Sequence, residues 1–71
     1  MDLEKLRESH TEKIEELREH LRLMDEKDVR HFRQEGDGPL ADITEKIKAE
    51  YYRHIETYSA LIAQIDAMLG V

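Results

Sequence analysis

The side chains able to do chemistry in this 71-residue chain are four histidines (His10, His20, His31, His54), seventeen carboxylates and three tyrosines. There is no Cys, which excludes disulfides, thiolate zinc sites, iron–sulfur clusters and a thiol nucleophile. The His–carboxylate spacings are Glu16-x-x-x-His20, Glu50-x-x-x-His54 and Asp28-x-x-His31. A di-iron bundle requires Glu-x-x-His on two helices and an inward Glu on two more. No Glu-x-x-His occurs here. There is also no Gly-rich phosphate loop, nucleophile–base pair or convergent carboxylate pair. The residues therefore assign no catalytic, cofactor-binding or metal-ligating role. Arg7, Arg18, Arg22 and Arg33 line one flank at helical spacing, a face of the kind that hairpin dimers use on RNA. Glu4, Glu15 and Glu19 stand three residues before three of them and read as intrahelical ion pairs on a solvated face. The net charge of -6 likewise opposes nucleic-acid binding.

These side chains must be positioned by helices. Only Glu35-Gly36-Asp37-Gly38-Pro39 carries turn chemistry. Gly36 suits the position after a helix end, Asp37 can cap a new helix, and Pro39 can sit in its first turn. The rest is rich in Glu, Leu, Lys, Arg and Ala, all good helix formers. The pattern predicts an all-α, single-domain chain over residues 1–71: a first helix over about 2–35, a turn at 36–39 and a second helix over about 40–69, packed as an antiparallel hairpin.

Leu3, Leu6, His10, Ile14, Leu17, Leu21, Met24 and Asp28 recur at steps of three and four, in a stripe about 80° wide. Leu40, Ile43, Ile47, Tyr51, His54, Tyr58, Leu61, Ile65 and Met68 do the same in the second helix, where Ile55, Ile62 and Leu69 broaden the stripe to one side. A stripe that broad exceeds what one partner helix covers, and a chain this short has a marginal core. The expectation is that two hairpins pair into a four-helix bundle. Its interface would use Leu17, Leu21, Met24, Tyr51, Ile55, Tyr58, Ile62, Ile65 and Leu69. Leu23, Val29 and Tyr52 fall off the stripes and are further contact points for another protein.

Three polar residues, His10, Asp28 and His54, stand at stripe positions. A turn near residue 37 places at one level residues whose numbers sum to about 74. His10 then lies beside Ile65, and His54 beside His20 and Leu21. His10 and Asp28 are about 27 Å apart and cannot meet within one hairpin. Two hairpins packed antiparallel about Glu19 would bring His10 of one to Asp28 of the other, twice by symmetry. A His10–Asp28 pair would be strongest below the imidazole pKa near 6.5, whereas a His54 buried neutral would weaken folding there.

Ser9-His10, early in a long hairpin, resembles the dimerisation and phosphoacceptor domain of sensor histidine kinases, a hairpin that pairs into a four-helix bundle. That resemblance implies phosphotransfer at His10. Thr11 stands where that family carries an acidic residue, the Pro of its motif is missing, and His10 points into the seam. The turn Gly36-Asp37-x-Pro39-Leu40 is similar to that of the small subunit of exonuclease VII, over five residues whose chemistry is generic.

The expected function is a non-enzymatic protein–protein interaction module: a self-associating hairpin acting as adaptor, regulator or accessory subunit. Its partner is itself, as an antiparallel homodimer, or another helical protein. The alternatives are a phosphotransfer or metal-binding bundle using His10 or His54, and an RNA-binding hairpin dimer. No run of about 18 apolar residues is present, so no membrane partner is expected. The residues Met1–Lys5 lack a basic segment leading to an apolar one. The expected location is cytoplasmic.

Overall fold

A computed structural model describes residues 2–70. Two long helices pack against each other, α1 (Leu3–Glu26) and α2 (Thr44–Leu69). Asp2 caps α1 by accepting hydrogen bonds from the backbone N–H groups of Glu4 (3.0 Å) and Lys5 (3.2 Å). Gly70 ends α2 in the left-handed conformation (φ 77°), which a glycine past a helix end takes at no Cβ cost.

The first helix stops nine residues before the expected 35. Its last turn carries Asp25 and Glu26 and no basic residue, which opposes the helix dipole. Asp28 then adopts φ 48°, and the Val29 N–H donates to the Met24 carbonyl at 3.0 Å. This is the Schellman closure, with an Asp in the left-handed position usually held by Gly. The β-prone residues Val29 and Phe32 follow it.

The connection is a small β-hairpin, where the sequence pointed to helices running to about 35 and from about 40 with a turn at 36–39 between them. β1 (Phe32–Arg33) pairs antiparallel with β2 (Ala41–Asp42), with Phe32 opposite Asp42 and Arg33 opposite Ala41. Gly36 does take a positive φ (56°), but in the loop of this hairpin, where the Gly38 N–H donates to the Glu35 carbonyl at 3.0 Å. Asp37 and Pro39 start no helix. Ile43 is the N-cap of α2, without a side-chain cap, and Asp42 just before it accepts from the Thr44 N–H at 2.9 Å.

Thr44 is only 2% exposed and ties the hairpin to α2. Its hydroxyl donates to Asp42 Oδ1 and accepts from the His31 N–H at 2.8 Å, while the Ile43 N–H donates to the His31 carbonyl at 2.8 Å. The stem keeps the expected level rule closely. Arg7 meets Asp66 and Asp25 meets Lys48, pairs whose numbers each sum to 73. The core between the helices is small: Ile14, Leu21, Met24 and Ile65. The molecule measures 53 × 27 × 15 Å, a single layer of two helices. Among the described residues, no helix is long and apolar enough to cross a membrane.

Candidate functional site: the open flank of the stem

Three heptad lines run along α2, and the structure treats each differently. Tyr51, Tyr58 and Ile65 face α1, with Ile65 buried and the tyrosines half-buried. Ile55, Ile62 and Leu69, expected to be the side needing extra cover, are half-buried on the flank that holds Lys48 and Asp66. The uncovered line is the other one. His54 and Leu61 are exposed, Leu61 at 36%, and Met68 is 64% exposed. At 100° per residue, Leu6, Lys13 and His20 of α1 lie on this same side of the stem.

The two flanks differ in electrostatics. The first is laced across the helices by Arg7–Asp66 and Lys48–Asp25, both at 2.6 Å. The hydrogen bond and charge of Asp66 hold the Arg7 guanidinium above its ordinary pKa, and the Asp25 hydrogen bond does the same for the Lys48 ammonium. Further round α1, Arg22 bridges Glu19 and Glu26, and its hydrogen bond lowers the Glu19 pKa. The open flank has no cross-helix ion pair among the described residues. Its cross-helix contacts are between rings: His10 against Tyr58 (centroids 5.2 Å apart) and His20 against Tyr51 (5.8 Å). His54 lies four residues before Tyr58 and three after Tyr51, so it shares their side of α2. Three of the four histidines thus gather around the middle of one flank.

Most residues expected at an interface between copies lie along the stem of the single chain, between α1 and α2 or at its edge. Leu21, Met24 and Ile65 are buried; Leu17, Tyr51, Ile55, Tyr58, Ile62, Leu69 and His10 are half-buried. The His10 ring packs against Tyr58. The other two polar seam residues lie outside the seam of the single hairpin. His54 is exposed in the hairpin. Asp28 lies outside α1, its side chain 86% exposed and 3.5 Å from Arg30, because the left-handed turn takes it off the helical stripe. The cross-chain His10–Asp28 pair loses its geometric basis. The arginine row also breaks up: Arg7 is tied to Asp66, Arg22 to Glu19 and Glu26, and Arg33 belongs to β1.

Of the off-stripe apolar residues, Tyr52 (55% exposed) and Val29 (38%) are on the surface, while Leu23 is half-buried. The tip adds Phe32 (57%) and Leu40 (66%), and a shallow cleft of about 420 Å³ lined by Arg33, Glu35, Pro39 and Lys46 among others. Sequence reasoning missed Thr44 and Asp42. The available signal was Asp42-x-Thr44, a helix-start pattern that Gly36-Asp37-Gly38-Pro39 outweighed. Asp42 has its pKa lowered, first by the Thr44 hydroxyl, then by the Thr44 N–H and by Arg30. Among the described residues, no three His, Asp or Glu converge to hold a metal ion.

The fold and site define a class: an antiparallel helical hairpin with a β-hairpin tip and one ion-paired and one open flank. No protein-family model matches the chain, and comparison with curated proteins and with solved structures gives no significant match.

Proposed function

We propose that this chain is a non-enzymatic, self-associating interaction module, an adaptor, regulator or accessory subunit of the cytoplasm, whose open flank packs on a second copy to form a four-helix bundle. The observation that carries this reading is surface area. The chain exposes 5627 Å², whereas a compact monomer of its mass exposes about 4,600 Å². The surplus of roughly 1,000 Å² is comparable to the 800 Å² per partner that a standard stable interface buries.

A single layer only 15 Å thick explains the surplus, because each helix has one neighbour where a bundle supplies two. The exposed apolar groups of the open flank, Leu61 and Met68, are those a second layer would cover. The opposite flank, with its charges matched within the chain, gains nothing from a partner.

Sedimentation equilibrium at micromolar concentration tests the reading. The expected mass is twice the chain's 8.4 kDa. A helical species that stays at the single-chain mass up to about 100 μM overturns it, since that sets the affinity below any useful range.

A further inference from the structure

We propose that self-association through the open flank is reversed by mild acid, through protonation of His10, His20 and His54. The proposal rests on the self-association reading and adds its regulation.

α1 (Leu3–Glu26) has its midpoint between Ile14 and Glu15. Two stems packed face to face and antiparallel about that point place His10 of one copy at the level of His20 of the other. His54 lies close to the midpoint of α2 (Thr44–Leu69), near the symmetry axis. All three imidazoles would thus be drawn out of water by the contact that covers Leu61 and Met68, twice per dimer. With Asp28 removed to the tip, the carboxylate that the antiparallel contact brings to the level of His10 is Glu19 of the other copy, already paired with Arg22.

The charged groups around them do not compensate. Facing His10 are Tyr58 from α2 and, on its own helix, Arg7 and Lys13; both cations disfavour the imidazolium, and Arg7 is occupied by Asp66. Facing His20 are Tyr51 from α2, with Glu50 one residue before it, and Glu16 and Glu19 on α1. Glu16 is paired with Lys13 and Glu19 with Arg22. Facing His54 are Lys13 and His20 from α1 and Glu50, Tyr51 and Tyr58 on α2. None of the three histidines makes an ion pair with a carboxylate among the described residues. Among the described residues, Glu50 is the one carboxylate beside His20 and His54 that holds no ion pair, and within its own hairpin His10 faces only cations and a tyrosine, so covering the flank removes more water from the protonated imidazoles than Glu50 replaces.

The sign follows from linkage. The dimer binds fewer protons than two free hairpins, so association is fully expressed above the free imidazole value near 6.5 and weakens as pH falls through it. Each imidazole that must stay neutral weakens association about tenfold between pH 7.5 and 5.5. Since every histidine occurs twice, exclusion of even one type gives about a hundredfold loss.

The test is sedimentation equilibrium of the full chain at pH 7.5 and 5.5 at constant ionic strength, with helicity followed by circular dichroism. The expected result is a dimer at pH 7.5 whose Kd rises at least about a hundredfold at pH 5.5 while the helices persist. The variant His10→Gln/His20→Gln/His54→Gln should dimerise equally at both pH values. Should that variant fail to fold, NMR titration of the wild-type imidazoles decides. The apparent pKa values of His10, His20 and His54 should fall as concentration rises, and that of His31, at the tip, should not. An unchanged Kd at both pH values overturns this proposal alone, as does pH dependence that survives in a folded triple variant, or imidazole values independent of concentration. A single-chain mass at both pH values overturns the self-association reading and this proposal with it.

Discussion

The two flanks of the stem are built from the same two helices and the same heptad spacing, yet they solve opposite problems. On one, Arg7–Asp66 and Lys48–Asp25 match charge across the helices within the chain. On the other, His54, Leu61 and Met68 project past the partner helix, and the cross-helix contacts are His–Tyr ring pairs. A flank whose charges are satisfied internally is finished as a surface. A flank that exposes Leu61 and Met68 leaves apolar surface which the proposed second copy would cover. The difference marks the side on which the proposed second copy would sit: the one where the chain's own second helix falls short.

The sharpest break of that comparison is a matched pair of substitutions. Leu61→Glu/Met68→Glu on the open flank should abolish the dimer at micromolar concentration, measured by sedimentation, because four carboxylates would be buried per interface. Tyr52→Glu on the other flank charges a group that is 55% exposed and should leave the mass unchanged. Equal effects from both would show that the flanks do not differ as partners.

A smaller effect is expected where the stem meets the tip. Thr44→Val keeps the shape but removes the hydroxyl shared by Asp42 and the His31 N–H. It should lower unfolding stability by about 1–3 kcal/mol in urea titration, since a buried N–H loses its acceptor. The same junction sets an acid limit. The Asp42 carboxyl has its pKa depressed by Thr44 and Arg30, so its contribution is complete above the unfolded value near 4 and is lost as pH falls through the lower folded value. In Thr44→Val this acid-dependent loss, read from thermal melts between pH 5 and 2, should shrink.

The smallest effect belongs to the ion-paired flank. Lys48→Met removes a cross-helix pair whose Asp25 side chain is 61% exposed. Pairs that open to water add little and are screened by salt. The melting temperature should fall slightly in low salt and match wild type in 1 M NaCl, with self-association unaltered throughout.

Much of the stem was legible in the residues themselves. Stripes at steps of three and four announced two antiparallel helices, and the expected level rule lay within one residue of the Arg7–Asp66 and Asp25–Lys48 pairs. Gly36 announced a left-handed residue, and Gly70 provides another. The segment 27–43 was not legible as a β-hairpin. Its terminating signal is Asp28 in a conformation that Gly more often takes, and a two-residue strand pair is too short to show alternation. With the helix shortened, Asp28 left the seam and the cross-chain partner expected for His10 went with it.

The sequence by itself determined the helical period, the antiparallel order and the shortage of core, because periodicity and chain length are one-dimensional properties. Only the tertiary structure decided which edge of a broad apolar stripe stays wet. That choice depends on how far α2 rolls on α1. The roll is set by the small Ile14–Leu21–Met24–Ile65 core together with the Arg7–Asp66 and Lys48–Asp25 pairs, groups distant in sequence that meet only once the hairpin closes. The roll turns Ile55, Ile62 and Leu69 inward and leaves His54, Leu61 and Met68 outside.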